Sequence, residues 1–215
     1  MIAHLAPNAS WTFDPLQVGP TLLYAFQAHL LEQIRRDVIG AADLASGELR
    51  GTANLTVCFA DLVEFTRLGE EIAPEELGSV AGRFEEMASA VVEPPVRLVK
   101  MIGDAAMMVS PDAEAMLGAA LRLIEAAAEE GDQFPVLRAG LACGPTLTQA
   151  GDYYGRAVNL ASRITGVARP GSVLVDAATR SAVDGAFTYS FAGERKLKGI
   201  DTGVKLFRAR RKREG

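Results

Sequence analysis

The chain has 215 residues, of which 49% are hydrophobic and 23% are charged, a balance that predicts a globular protein with a full core. The formal net charge of −5 argues against nonspecific nucleic-acid binding but leaves room for a local basic pocket. No apolar run reaches the roughly 20 residues of a membrane span, and no signal peptide opens the chain, so we expect a cytoplasmic protein. Cys58 and Cys143 lie in strand-like apolar runs, where buried free thiols are expected.

The N-terminal part of the chain carries a helical pattern. From Pro20 to Val38 apolar residues recur at three- and four-residue spacing, which predicts an amphipathic helix. Its apolar stripe must pack on the rest of the chain, on a second subunit or on a regulatory module. We therefore predict an N-terminal segment with a linker helix over 1–50 and a single larger domain over 51–215. His29 is expected to be a packing or solvated residue, with pH sensing as the alternative.

Strand and helix signals alternate beyond residue 54. Thr66 is the predicted cap of a short first helix, and Gly144-Pro145 the predicted end of a strand. The order of elements predicts an α+β fold, with helices on one face of a mostly antiparallel sheet. The predicted strands are 55–60, 96–99, 105–109, 136–143, 146–149, 173–175, 187–191 and 204–209. The predicted longer helices are 74–91, 111–131 and 154–167, and a short helix is predicted over 177–183.

The stretch Lys100-Met101-Ile102-Gly103-Asp104 joins two short apolar runs. Gly103 can adopt backbone angles that other residues avoid, so a tight turn between two strands is expected here. The hairpin would present one cation, Lys100, and one carboxylate, Asp104, near its tip.

Asp61 ends the first predicted strand, and Asp104 lies at the hairpin. Two carboxylates at strand ends can hold Mg²⁺, which prefers carboxylate oxygens and substrate phosphates. Two such metals can activate an attacking oxygen and stabilise a leaving one, as in phosphoryl transfer. The alternative for each aspartate alone is a plain turn residue.

Asn159 and Arg163 are four residues apart on a predicted helix and therefore share one face. A carboxamide beside a guanidinium can hold a ribose oxygen and a phosphate oxygen. The alternative for this pair alone is a solvated helix face.

Three motifs together resemble the catalytic domain of class III nucleotidyl cyclases, over residues 54–208. They are Phe59-Ala60-Asp61-Leu62-Val63-Glu64-Phe65-Thr66, then Lys100-Met101-Ile102-Gly103-Asp104, and then Asp152 followed by Asn159 and Arg163. The resemblance implies a ferredoxin-like, palm-type fold for residues 51–215. It also implies adenylyl cyclase activity, which converts ATP to 3′,5′-cyclic AMP and pyrophosphate. Glu64 departs from the family, which often has a small residue there, so it either affects the choice of metal or points to solvent.

The resemblance implies a role for each matching residue. Asp61 and Asp104 match the ligands of two metal ions, Mg²⁺ or Mn²⁺. Asn159 matches the residue that positions the ribose, and Arg163 the one that stabilises phosphate charge in the transition state. Lys198 resembles a lysine that contacts the terminal phosphates.

Lys100 and Asp152 match the pair that selects the base. Lysine can only donate hydrogen bonds and an ionised aspartate can only accept them, which complements N1 and N6 of adenine. Guanine reverses this pattern and would leave both groups facing like partners. ATP is therefore the expected substrate, with GTP as the alternative.

The resemblance also implies partners. The family forms head-to-tail homodimers with composite active sites, in which one chain supplies the metal aspartates and its partner the other residues. Such an arrangement is compatible with a regulatory domain N-terminal to this chain. The alternative functions are a nucleotide-binding regulatory module without turnover and a cyclic-dinucleotide synthase.

The C-terminal end of the sequence is basic and predicts a solvated tail, with contact to acidic lipid or nucleic acid as the alternative. The basic residues are Arg208, Arg210, Arg211, Lys212 and Arg213.

Overall fold

The structure is a computed structural model and describes residues 52–131, 134–183, 185, 187–200 and 202–212. The predicted segment over 1–50, its helix and His29 lie outside the described residues, as does Arg213. The division of the chain at residue 50 therefore stays a prediction.

The described strands form one eight-stranded sheet, in the order β2-β3-β1-β4-β6-β8-β7, with β5 paired to β4. Neighbouring strands are antiparallel except β4 and β6, which run parallel. The prediction of a mixed, mostly antiparallel sheet is confirmed. The strands are β1 (Thr52–Leu62), β2 (Arg97–Ile102), β3 (Ala105–Ser110), β4 (Leu137–Gln149), β5 (Asp152–Tyr154), β6 (Val173–Asp176), β7 (Phe187–Arg195) and β8 (Val204–Arg211).

Helices cover both faces of this sheet, so the prediction that they lie on one face is wrong. Cys58 and Ala60 of β1 point into a core with the helices Pro74–Ala90 and Ala113–Glu129, whereas Val57 points into a core with the helix Arg156–Val167. A central strand buried on both faces is apolar throughout, and its sequence therefore does not reveal which faces are covered. The described helices are α1 (Phe65–Glu71), α2 (Pro74–Ala90), α3 (Ala113–Glu129), α4 (Arg156–Val167) and α5 (Ala177–Ser181).

Helices α2 and α3 begin at residues suited to helix starts. Pro74 is the first residue of α2, where its missing N–H costs nothing. Asp112 caps α3, because its Oδ1 accepts hydrogen bonds from the N–H groups of Glu114 at 2.8 Å and Ala115 at 3.0 Å. Phe84 of α2 is fully buried against the sheet.

Helix α4 approaches the other face of the sheet very closely, and Gly140 of β4 makes this possible. A Cβ atom at Gly140 would lie 2.3 Å from the backbone nitrogen of Thr165 and 2.8 Å from the carbonyl oxygen of Ala161. The Thr165 hydroxyl donates to the carbonyl of Phe59 in β1 at 3.1 Å. The position of α4 is therefore fixed by direct contact with β1 and β4.

Strand β4 runs without a break through Gly144 and Pro145, so the predicted strand end there is wrong. Pro145 pairs with β1 on one side of β4. On the other side, the pairing of β4 with β6 has already ended at this residue and the pairing with β5 has not yet begun. A proline lacking its N–H is tolerated at such a local edge. The predicted separate strand over 146–149 is the continuation of β4.

Two smaller predictions are also corrected. Thr66 lies inside α1, and the residue before the helix is Glu64, in a left-handed conformation with φ 60° and no side-chain cap. The basic residues Arg208, Arg210 and Arg211 belong to strand β8 and do not form a tail. The Arg211 Nε lies 3.2 Å from a carboxylate oxygen of Glu125 on α3.

Candidate active site

The two predicted metal aspartates lie next to each other at one end of the sheet. Asp61 is the penultimate residue of β1 and pairs with Ala105 at the start of β3. The Leu62 N–H donates to the backbone carbonyl of Asp104 at 3.0 Å, and Gly103 completes the turn with φ 60°. The β2–β3 hairpin therefore brings the predicted pair together, as expected.

Asp61 is largely buried and is paired with an arginine on the neighbouring strand. Its Oδ2 accepts hydrogen bonds from Nε of Arg138 at 2.9 Å and from the Nη2 of the same guanidinium at 2.6 Å. Burial raises the pKa of the Asp61 carboxyl; the contact with Arg138 acts against this, and the charge of Asp104 adds to it. The mutual repulsion of the two carboxylates is the feature that a bound cation would relieve.

The donor set suits a divalent metal that shares its coordination with a ligand. Asp61 and Asp104 offer hard carboxylate oxygens, which Mg²⁺ and Mn²⁺ both accept. Within the described residues no group of three or more His, Cys, Asp or Glu side chains could hold a metal alone. The two aspartates therefore fit a metal whose other ligands come from phosphate oxygens and water, the usual situation for Mg²⁺.

The predicted base-selecting residues are in direct contact. The Nζ of Lys100 donates to Oδ2 of Asp152, and the N–H of Tyr153 donates to Oδ1 of the same carboxylate at 2.9 Å. The hydrogen bond from Lys100 lowers the pKa of the Asp152 carboxyl, which keeps it ionised and able only to accept. Lys100 lies within β2 and pairs with Met107, so it stands further from the hairpin tip than expected.

Asn159 and Arg163 occupy the exposed face of α4, as their spacing predicted. The opposite face of the helix carries Leu160 and Ile164 into the core, which leaves the polar pair directed outward. Lys198 is also exposed, in the loop between β7 and β8. These three side chains make no hydrogen bond or ion pair with Asp61 or Asp104 in the part of the chain that the structure describes.

Arg138 is the residue that the sequence analysis missed. It stands directly opposite Asp61 in the β1–β4 pairing, and its Nη1 also donates to the Gly166 carbonyl near the end of α4 at 3.4 Å. The sequence did contain a signal for Arg138, since it is a lone arginine in the apolar run of β4. A charged side chain that is partly buried on a strand needs a partner of opposite charge. Arg138 connects Asp61, the predicted metal ligand, to the helix that carries Asn159 and Arg163.

Two other expectations concern residues near the site. Glu64 points to solvent and lies 3.2 Å from Arg67, with 62% of its side chain exposed, so it does not join the aspartate pair. Cys58 is a buried free thiol whose pKa is raised by burial, and Cys143 is a half-buried free thiol. The Cys58 thiol, which stays protonated, does not act as a nucleophile or a metal ligand.

No helix among the described residues has the length and hydropathy needed to cross a membrane.

Comparisons with known proteins identify the family of the chain. The profile of the adenylate and guanylate cyclase catalytic domain matches residues 48–209. A pH-sensitive adenylate cyclase of Mycobacterium tuberculosis is 45% identical over 205 residues, which cover 91% of this chain and 51% of that protein. An adenylate cyclase of Streptomyces griseus is 40% identical over 158 residues, covering 73% of this chain and 38% of that protein. The chain thus spans about half the length of the first relative and less of the second.

Solved structures of cyclase domains share the fold. The adenylyl cyclase CyaB from P. aeruginosa matches with a TM-score of 0.67 and 22% identity, over 75% of this chain and 96% of that one. The guanylate cyclase domain of RhGC from Catenaria anguillulae, in complex with GTP, has a TM-score of 0.61 and 22% identity, over 74% and 97% of the two chains. With the profile match and the curated relatives, these findings show that the chain belongs to the adenylate and guanylate cyclase catalytic domain family.

Proposed function

We propose that the protein is an adenylyl cyclase, which converts ATP to 3′,5′-cyclic AMP and pyrophosphate. The observation that carries the proposal is the contact of Lys100 with Asp152, because this pair would read the base. The two relatives named adenylate cyclase, at 45% and 40% identity, support the same choice of substrate.

The base is selected by matching donors to acceptors. Lys100 would donate to N1 of adenine and Asp152 would accept from N6, while each group keeps part of its contact with the other. Guanine would place its N1–H against the lysine and its O6 against the carboxylate. Each mismatch leaves a buried group unsatisfied, which costs about 1–3 kcal/mol. The side chains of Lys100 and Asp152 are 39% and 32% exposed in the single chain, and the bound nucleotide would complete their burial.

The phosphate chemistry would take place between Asp61, Asp104 and the α4 side chains. The ribose 3′-hydroxyl would pass its proton to solvent water, the oxygen would attack the α-phosphorus, and the bond from that phosphorus to the pyrophosphate oxygen would break. Mg²⁺ or Mn²⁺ held by the two aspartates, two ions per site as the family resemblance implies, would supply the activation of the hydroxyl and neutralise phosphate charge. Asn159 would orient the ribose, Arg163 would donate to the α-phosphate oxygens as negative charge builds up, and Lys198 would bind the leaving group.

The proposal includes a homodimer with two composite sites. Asn159, Arg163 and Lys198 are exposed and have no contact with the aspartate pair in the described residues of one chain. A head-to-tail pair of chains would place these side chains of one protomer opposite the aspartates of the other, and its two-fold symmetry would create two equivalent sites.

The test is cyclic nucleotide formation from ATP and from GTP, each with Mg²⁺ and with Mn²⁺, over a range of protein concentrations. We expect cyclic AMP as the main product, with a specific activity that rises with concentration because the sites form on dimerisation. Asp104→Asn is the matched inactive control. Cyclic GTP as the main product would contradict the base assignment, and ATP binding without any product would favour a regulatory module.

A further inference from the structure

A cavity of about 260 Å³ lies beyond the end of α4, between β6, β7 and β8. Three arginines line it, Arg169, Arg195 and Arg208, and its lining contains no carboxylate. The apolar part of the lining includes Leu174 and Leu206, both of which are buried. We call this cavity the arginine pocket.

The strand register explains why two of these arginines meet at the pocket. Arg195 on β7 pairs with Val204, and Arg208 on β8 pairs with Leu174. Val204 and Leu174 both point into the core under α4, and paired residues project to the same face of a sheet. Arg169 reaches the pocket from the connection between α4 and β6.

The three guanidinium groups have no partner in the described part of the chain. No hydrogen bond or ion pair joins them to another side chain, whereas Arg83, Arg138 and Arg211 each contact a carboxylate. Arg208 is only partly exposed, so its charge is not fully solvated.

The lining distinguishes this pocket from another cavity on the same molecule. The cavity beside α1 also contains an arginine, Arg67, but it is neutralised by Glu64 at 3.2 Å and by Glu71 at 3.3 Å. Three cations without a partner among the described residues, around one concave surface, create a strongly positive potential, which attracts anions.

We propose that the arginine pocket binds a small organic anion that carries two or more phosphate or carboxylate groups. The planar guanidinium groups match such groups with paired N–H donors, and Leu174 and Leu206 accommodate a short carbon body. The proposal goes beyond the cyclase reaction, because none of the seven predicted site residues lines this pocket. It adjoins the end of α4, since Val167 is part of its lining.

The test is isothermal titration calorimetry of the full chain with citrate and, separately, with fructose 1,6-bisphosphate, at constant ionic strength and without nucleotide or divalent metal. The two probes distinguish carboxylate from phosphate ligands. We expect saturable binding of at least one probe, with one site per chain. The double variant Arg195→Gln, Arg208→Gln should weaken that binding by about tenfold or more, because it loses two charge-assisted contacts.

Arg210→Gln is the matched control, since Arg210 lies on the same strand, is exposed and does not line the pocket. The affinity of the Arg210→Gln variant for the bound probe should stay close to that of the wild type. Thermal unfolding of each variant without ligand establishes that it is folded.

Absence of saturable binding in the wild type would overturn the proposal, as would equal weakening by Arg210→Gln. Loss of binding in an Arg163→Ala, Lys198→Ala variant would also overturn it, because the anion would then occupy the nucleotide site. Cyclase activity is not the readout, so failure here leaves the proposed reaction untouched.

Discussion

At the scale of single residues, Asp61 and Arg138 form the most informative pair. The carboxylate is 17% exposed and accepts both hydrogen bonds from the guanidinium on Oδ2. Because both bonds use one oxygen, Oδ1 receives no hydrogen bond from the described residues and stays available to a metal. Arg138 thus compensates for the burial of Asp61 and fixes the orientation of its carboxylate.

Replacing Arg138 with glutamine should destabilise the protein by about 1–3 kcal/mol at neutral pH, because a buried carboxylate loses its counter-ion. The pKa of Asp61 is already raised above its ordinary value, and removing Arg138 raises it further. The folded state then binds a proton more tightly than the unfolded state, so stability falls as pH rises through this window. The difference in free energy of unfolding between the wild type and Arg138→Gln, measured with urea, should therefore become smaller as the pH is lowered towards 4.

The controls for this prediction use matched arginine contacts. Arg122 donates to the Val91 carbonyl at 2.9 Å and has no carboxylate partner among the described residues, so Arg122→Gln should show a loss that does not depend on pH in this range. In the double variant Asp61→Asn, Arg138→Gln the loss should be smaller than in Arg138→Gln alone. A pH-independent loss in Arg138→Gln would contradict the account of this ion pair.

Arg163 provides the second test at the residue scale. Arg163→Ala should lower kcat by about 10²–10³ and change KM little, because the side chain is proposed to bind charge that develops in the transition state. Arg156→Ala is the control, since Arg156 is an exposed arginine on the same helix. Equal losses in kcat and in nucleotide affinity would show that Arg163 acts in ground-state binding.

The sequence predicted the residue pairs whose spacing is local or whose motifs are distinctive. Lys100 and Asp104 share one hairpin, and the contact of Lys100 with Asp152 followed from matching motifs. Arg138 was not predicted, because its significance depends on the β1–β4 register that places it opposite Asp61. Strand register between distant segments is a tertiary property that the local sequence does not determine.

At the scale of elements, Gly140 determines how closely α4 packs on the sheet. Gly140→Ala should destabilise the protein by about 3 kcal/mol or more, because the added methyl group would meet the backbone of α4 at 2.3 Å. Gly82 lies within α2 with no atom within 4 Å of an added Cβ. Gly82→Ala should stabilise the protein by up to about 1 kcal/mol through higher helix propensity. Chemical unfolding of both variants measures the contrast, and similar stabilities would contradict the direct contact.

The order of elements was predicted well, but two features of their arrangement were not. Glycine and proline at 144–145 are strong local signals for a strand end, yet pairing with β1 continues past them. The prediction of helices on one face failed because the middle of β1, Val57–Ala60, is apolar at four consecutive positions. Such a strand is compatible with one covered face or two, and only the packing of α4 decides between them.

At the scale of the whole molecule, the site residues form two groups. One group is the aspartate pair, in which Asp61 is held by Arg138 of the same chain. The other contains Asn159, Arg163 and Lys198, which are exposed and without contact to the aspartates in the described residues. The Lys100–Asp152 contact belongs with the residues that the partner chain would supply. This division is the structural reason for proposing that two chains build each active site.

The most direct test of a shared active site is complementation between two inactive variants. Asp61→Ala and Asn159→Ala should each be inactive alone, because each homodimer lacks one component at both sites. In a random mixture half of the dimers contain one chain of each kind, and one of their two sites is intact. We predict that cyclic AMP formation recovers to about a quarter of the wild-type level. Continued inactivity, with heterodimers demonstrated by two affinity tags, would contradict the composite site.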